Sequence, residues 1–166
     1  MMSRTPVEGG AHSRDVRYAP VMMPLLIAML TLAVSAAAGE RAALVVQGAQ
    51  PPAHLGRATG LTPAEGPPVI LYAAVSLTDR RLEQFTVMAF VFRADGTLKA
   101  RQVAPGRRFL EPHETKYSTL VVDGVPLDPT DVVVIGINQT QNEGSDDWWR
   151  ADLQPGAEAA VAVKKQ

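Results

Sequence analysis

The chain has 166 residues and carries 16 basic and 17 acidic side chains, for a net charge of −1. This balance lacks the basic excess that nucleic-acid-binding proteins usually show. The sequence contains no cysteine, which excludes disulfide bonds, a thiol nucleophile and a thiolate metal site. A hydrophobic content of 46% at this length predicts one domain with a packed core.

The first two segments predict an export signal. Residues 1–20 form a polar leader, and 21–38 form an uncharged apolar run that ends in small residues, VMMPLLIAMLTLAVSAAA. Basic residues before the run and an A-x-A-like end are typical of a secretory signal peptide, with cleavage near Ala38. Because the leader is long for such a peptide, Met22 or Met23 is an alternative start, which would leave the leader untranslated.

Two alternatives to a cleaved signal stay open for residues 21–38. The run is at the short edge of what spans a bilayer, so an uncleaved anchor helix in the inner membrane is the main competitor. A buried core helix is the other, but the run has no charged face to meet water. No cysteine follows the run, which excludes a bacterial lipoprotein anchor.

The segment 39–68 contains an apolar stretch and then many turn residues. Arg41 to Gln47 (RAALVVQ) predicts a first strand or a helical tail of the signal region. Repeated prolines and glycines from Gly48 to Pro68 indicate a linker or an irregular edge segment. We therefore expect the folded domain to occupy residues 69–166.

Short apolar runs separated by turn residues fill the chain from Val69 onward. Such runs predict an all-β, immunoglobulin-like antiparallel β-sandwich, preceded by the hydrophobic N-terminal signal or anchor helix. No convincing helical period follows the apolar N-terminal run, which argues against a parallel α/β sheet. The predicted strands are Val69–Leu77, Gln84–Arg93, Thr97–Val103, Thr115–Val122, Asp131–Asn138 and Ala157–Val163.

The stretch QFTVMAFVFRADGTLKAR, from Gln84 to Arg101, predicts a hairpin. A three-residue loop, Ala94-Asp95-Gly96, places Phe92 opposite Leu98 and Phe90 opposite Ala100. This register separates apolar from charged side chains, and the loop requires a positive φ at Gly96. The side chains expected in the core are Met88, Phe90, Phe92 and Leu98.

These motifs carry a resemblance to a known family. A strand, a polar break, a strand ending in Phe90-Val91-Phe92, the Asp95-Gly96 turn and L-x-P-x-E-T from Leu110 to Thr115 are together similar to bacterial exported FxLYD-type and related immunoglobulin-like domains. The family's Leu-Tyr-Asp is absent here, since Arg93-Ala94-Asp95 follows Phe92. The resemblance implies an exported β-sandwich and no particular activity.

No pattern in the sequence indicates catalysis or a cofactor. His113 is the one histidine inside the predicted domain; it lacks a second histidine at metal spacing, and no serine lies in a G-x-S-x-G elbow. The acidic segment 142–147 offers clustered oxygens but lacks the alternating carboxylates of a calcium loop. We therefore predict a protein that is not an enzyme, with no catalytic, cofactor-binding or metal-ligating residue.

Trp148, Trp149 and Arg150 are the candidate partner contact. Adjacent residues of a strand face opposite sides, so one ring is expected in the core and the other against solvent, a sugar or a partner protein. The alternative is that both rings cover an end of the sandwich, which we favour because aromatic side chains bury large areas.

Two predicted strands have apolar residues on both faces, Val69–Val75 and Val132–Ile137. A two-layer sandwich buries one face of each sheet, so the second faces need a cover: the segment 48–68, the C-terminal tail or another chain. We therefore predict a protein-binding or self-associating module, periplasmic or secreted, without nucleic-acid partners. The alternatives are an accessory subunit anchored in the inner membrane and a carbohydrate-binding module that uses Trp148 and Trp149.

Overall fold

The computed structural model describes residues 39–104 and 109–164. Nine strands and one helix follow in chain order: β1 (Gly39–Ala42), β2 (Leu44–Val45), β3 (Ala53–Thr62), β4 (Val69–Ser76), β5 (Leu82–Phe92), β6 (Leu98–Val103), β7 (Thr115–Val121), β8 (Val132–Asn142), β9 (Trp148–Arg150) and α1 (Gln154–Lys164). The predicted all-β class is confirmed. The N-terminal signal or anchor helix at 21–38 lies outside the described residues and stays a prediction.

The strands form two sheets. The first has the order β1-β3-β4-β7, and the second has the order β2-β8-β5-β6, with β9 also paired to β8. Every pair is antiparallel except β2 with β8, which is parallel. The chain passes from the first sheet to the second at Ala43, so the N-terminal segment bonds to both layers.

The main core lies between the sheets. Its large members come from alternate positions of the central strands, as expected when every second side chain of a strand points inward. From β5 these are Phe85, Val87, Ala89 and Val91, which pack against Ile70 and Tyr72 of β4, Leu120 of β7 and Ile135 of β8, all buried.

A second core lies on the outer face of the second sheet, under α1. Phe90 and Phe92 of β5 and Val134 of β8 pack there against Ala157 and Val161 of the helix. The C-terminal tail therefore covers the second apolar face of β8. Burying this apolar area stabilises the fold by roughly 25 cal/mol for each Å² removed from water.

The hairpin prediction is confirmed at its turn and wrong further along. Arg93 N–H donates to Thr97 O across a three-residue loop, Gly96 has a φ of +84°, and Phe92 pairs with Leu98. A bulge then displaces Lys99, so that Phe90 pairs with Arg101 instead of Ala100.

The predicted core positions of this hairpin also need correction. Phe90 and Phe92 are buried, but under α1 and not between the sheets. Met88 is half-buried, and Leu98 is 39% exposed on the edge strand β6. The reason is that both faces of β5 are apolar, so the size of the rings did not indicate which face meets the other sheet.

Two segments form elements that the sequence did not predict. Residues 154–164 form a helix where Ala157–Val163 was predicted as a strand. The expected linker or edge segment 48–68 contains β3, a ten-residue strand with neighbours on both sides. Its prolines lie outside the strand, and Gly56 occupies the register shift between Leu55 and Arg57.

Candidate functional site

The predicted contact residues Trp148, Trp149 and Arg150 form β9. Trp149 is half-buried, packs on the main core and donates its indole Nε1–H to Ala49 O at 3.1 Å. A Cβ on Gly48 would lie 2.9 Å from the Trp149 ring, so this glycine permits the close approach of the N-terminal segment. Trp149 therefore fastens that segment to β9.

The other two members lie beside each other. Trp148 is half-buried, and the Arg150 guanidinium carbon is 5.7 Å from the centroid of its ring, within the range of a cation–π contact. The structure thus separates the two indoles, one against the core and one paired with arginine, and does not assemble them into one exposed platform.

His113 is exposed in the turn before β7, with a φ of +56°. Its Nε2 is 2.7 Å from Asp79 Oδ1. Among the residues the structure describes, no three His, Asp or Glu side chains lie close enough to hold a metal ion. The acidic segment 142–147 forms the connection between β8 and β9.

A polar cluster joins β1, β6 and the segment before β8. Lys99 Nζ lies 2.7 Å from both Asp128 Oδ2 and Asp131 Oδ2, and Asp131 is buried. Hydrogen bonds from Lys99 lower the pKa of Asp128, while bonds to Asp128 and Asp131 raise the pKa of Lys99. Arg41 Nη1 donates to the Asp131 carbonyl oxygen at 3.2 Å. These groups satisfy one another, which suits a structural role.

A second cluster lies at the opposite end of the second sheet. The Phe109 ring has the Lys116 ammonium 3.7 Å from its centroid and the Arg81 guanidinium carbon at 4.6 Å. Arg81 also bonds to Glu143 at 2.6 Å and lies 3.0 Å from Glu111. The Glu143 hydrogen bond raises the pKa of Arg81 further. The cluster fastens the segment before β7 to one end of the β5–β8 pair, where β5 begins and β8 ends.

The outer faces of the two sheets differ. Helix α1 covers the second, whereas no described element covers the outer face of the first, formed by β3, β4 and β7. Leu71 of β4 is 41% exposed there, Val121 of β7 46% and Tyr117 of β7 82%. Leu71, Tyr117 and Val121 are three of the large hydrophobic side chains that the described elements leave exposed.

Strand register places the residues of this face in rows. Arg57, Ala73 and Tyr117 are aligned across β3, β4 and β7, and the next row is Thr59, Leu71 and Thr119. The two rows line a groove with a volume of about 410 Å³. We call this surface the β3–β4–β7 face.

The groove has the size of a small-ligand site, for which volumes of about 300–1,000 Å³ are usual. It is open along the sheet and offers apolar side chains, hydroxyls and one guanidinium. These groups can hold a ligand through apolar contact, hydrogen bonds and one charge. The sequence pointed to this region through the two apolar faces of Val69–Val75. Arg57 carried no signal because β3 had not been predicted, and Tyr117 carried none because the pairing of β7 with β4 joins distant parts of the chain.

Within residues 39–104 and 109–164, no helix is long and apolar enough to cross a membrane. Comparison of the chain with protein-family models, curated proteins and solved structures gave no match.

Proposed function

We propose that this protein is an exported, non-catalytic, immunoglobulin-like module of the bacterial cell envelope that binds a partner protein through the β3–β4–β7 face. The observation that carries the proposal is the unequal covering of the two sheets. The outer face of the second sheet is closed by α1, while the first leaves Leu71, Tyr117 and Val121 open around a groove. Exposed apolar surface of this kind usually marks an interaction site.

The immunoglobulin-like assignment is supported by strand order. If β3 is counted as strand A, then β4 and β7 stand where B and E do, and β5, β8 and β9 stand where C, F and G do. β6 extends the second sheet beside β5, as C′ does in variable domains. β1 and β2 are then additions that precede strand A. The resemblance to FxLYD-type domains is part of this proposal.

Export is supported by the sequence of 21–38. Gly39, which pairs with Thr62, directly follows the proposed cleavage site at Ala38. Cleavage there would leave every described strand intact. The alternative, an uncleaved anchor, would place the same domain at the inner membrane.

The carbohydrate-binding alternative has less support. It needs an exposed aromatic platform, whereas Trp149 packs on the core and donates its Nε1–H to Ala49 O. Titration with oligosaccharides tests it, because stacking on Trp148 would quench tryptophan fluorescence.

The proposed surface is tested by capture from envelope extract with two matched variants. Leu71→Asp puts a charge on the β3–β4–β7 face, and Leu98→Asp makes the same change at a leucine that is 39% exposed on β6, in the other sheet. We expect the wild type and Leu98→Asp to retain the same specific protein, and Leu71→Asp to lose it. Equal capture by all three would refute the surface. A dimer of the wild type that Leu71→Asp converts to monomer would assign the face to self-association instead.

A further inference from the structure

The charged part of the groove belongs to a single residue. Arg57 is exposed on β3, next to the bulge at Gly56. Within the described part of the chain, its guanidinium takes part in no ion pair, and the other groove-lining residues are Thr, Ser, Leu, Ala and Tyr. Its positive charge is therefore not neutralised by the surface around it.

We propose that the partner presents an extended acidic segment to the β3–β4–β7 face, with a carboxylate paired to Arg57 and an apolar side chain against Leu71, Ala73 and Tyr117. This inference rests on the proposed function, because it names the chemistry of the partner at the same surface.

Charge complementarity selects the carboxylate. A guanidinium presents parallel N–H donors that match the two oxygens of a carboxylate, and such charge-assisted bonds are stronger than neutral ones. A partner segment that covers the groove would exclude water from this pair, which strengthens the attraction. A basic segment would be repelled by the same charge.

The residues beside Arg57 on this face favour an apolar side chain in the partner. Ala73 is buried in the floor between Arg57 and Tyr117, and Leu71 lies in the neighbouring row. Tyrosine and arginine are residue types that often dominate the binding energy of interfaces. Tyr117 at 82% exposure has most of its ring area still to bury.

Strand geometry sets the spacing within the partner segment. Arg57 and Tyr117 lie on strands separated by β4, so their backbones are about 10 Å apart. Residues i and i+2 of an extended chain point to the same side and are about 7 Å apart, and the length of the arginine side chain spans the difference. The carboxylate is therefore expected two residues from the apolar side chain.

A segment of a protein fits better than a small molecule because the apolar surface extends beyond the groove. The next row of the same face is Leu61, Val69 and Val121, of which Val121 is 46% exposed. A chain that crosses the strands would cover both regions, whereas a ligand confined to about 410 Å³ would leave this row open.

A displayed library of 12-residue peptides tests the inference with the exported protein as bait. We expect enriched peptides to contain Asp or Glu two residues from an aromatic or aliphatic residue. Arg57→Ala should weaken their binding about tenfold, the loss expected for one charge-assisted hydrogen bond. Arg57→Glu should abolish binding of these peptides. A peptide in which lysine replaces the acidic residue should instead bind the Arg57→Glu variant.

Arg101→Glu is the matched control, because Arg101 is an exposed strand arginine in the other sheet. It should leave binding unchanged. The enriched peptides could show no acidic preference, fail to bind the Leu71→Asp variant and still bind the Arg57→Glu variant. That result would overturn this inference and leave the proposed function standing. Peptides indifferent to both changes would overturn the inference and also count against the face itself.

Discussion

Lys99 links the hairpin to the segment before β8. The bulge removes it from the β5–β6 ladder, and its ammonium bonds to Asp128 and to the buried carboxylate of Asp131. Asp128 N–H also donates to Asp131 Oδ2 at 2.9 Å. The predicted register was wrong at this residue because it was derived from the neighbouring strand alone. Lys99 instead bonds to a carboxylate 32 residues away in the sequence.

This cluster predicts a pH dependence. The hydrogen bond from Lys99 lowers the pKa of Asp128 from an ordinary 3.8, so its contribution to stability is present above that value and is lost as the pH falls through the folded-state pKa. Asp128→Asn should therefore lower the free energy of unfolding at neutral pH, and its difference from the wild type should vanish in acid. The effect will be small because the Asp128 side chain is 64% exposed.

Urea denaturation at about pH 7 and about pH 2 measures this difference. Asp123→Asn, at an exposed aspartate, is the control and should match the wild type at both values. A deficit of Asp128→Asn that persists undiminished in acid would show that the pairing with Lys99 is not its cause.

Gly136 of β8 makes room for the N-terminal segment. A Cβ there would meet the Val46 carbonyl oxygen and lie 2.8 Å from Leu153 Cδ1. Gly136→Ala should therefore destabilise the fold by about 1–3 kcal/mol, as overpacking does. Gly39→Ala is the control, since nothing lies within 4 Å of its Cβ position, and should change stability by less than about 0.5 kcal/mol. Equal unfolding midpoints for the two variants would contradict this packing.

At the scale of elements, α1 decides how the sandwich is completed. Its buried residues Ala157 and Val161 are four positions apart and lie on one side of the helix, over Phe90 and Phe92. Asp152 Oδ1 accepts the Gln154 N–H at 3.1 Å, and Pro155 lies in the first turn, where a proline is tolerated. The start of the helix therefore follows from local sequence signals, whereas the apolar face of the helix is explained only by its tertiary contacts.

Val161→Asp tests this packing. The substitution puts a carboxylate into the second core and should destabilise the protein by about 3 kcal/mol or more while exposing the phenylalanines to a hydrophobic dye. Val163→Asp, on the same helix at a residue 72% exposed, should remain within about 0.5 kcal/mol of the wild type. Similar dye binding and similar midpoints for the two variants would mean that α1 does not seal this face.

Predictability from sequence also differs between elements. The β5–β6 turn was predictable because Asp95-Gly96 has a strong local preference, and Gly96 adopts the expected positive φ. The helix was missed because Ala, Val and Glu between 157 and 163 alternate as a strand would, although alanine favours helices and Pro155 suits a helix start. β3 was missed because Gly56 and Gly60 were interpreted as turn residues, whereas Gly56 lies at a bulge.

At the scale of the whole molecule, the N-terminal segment connects export to the fold. If 21–38 is a cleaved signal, Edman sequencing or mass spectrometry of the exported protein will find a new N-terminus near Gly39. The mature chain would then begin with β1, whose Arg41 donates to the Asp131 carbonyl oxygen. Recovery of the uncleaved chain in the membrane fraction would favour the anchored alternative and leave the binding face unaffected.

The binding site could be predicted only in part at this scale. Two apolar faces in Val69–Val75 predicted a cover for β4; no described element covers Leu71, so the cover by a partner stays a prediction. The side chains around Leu71 are set by the pairing of β3 and β7 with β4. These pairings are contacts between distant parts of the chain, so the sequence alone did not predict them. Strand alternation predicted opposite sides for Trp148 and Trp149, and Trp149 packs on the main core while Trp148 lies beside Arg150.

The most direct measurement is site-specific photo-crosslinking in cells that export the protein. Tyr117→p-benzoylphenylalanine puts the probe on the β3–β4–β7 face, and Val163→p-benzoylphenylalanine puts it on α1, at a position that is 72% exposed. We expect a discrete crosslinked product from position 117 that Leu71→Asp removes, and none from position 163. A product from 163 alone, or one from 117 that persists with Leu71→Asp, would contradict the assignment of the partner to this face.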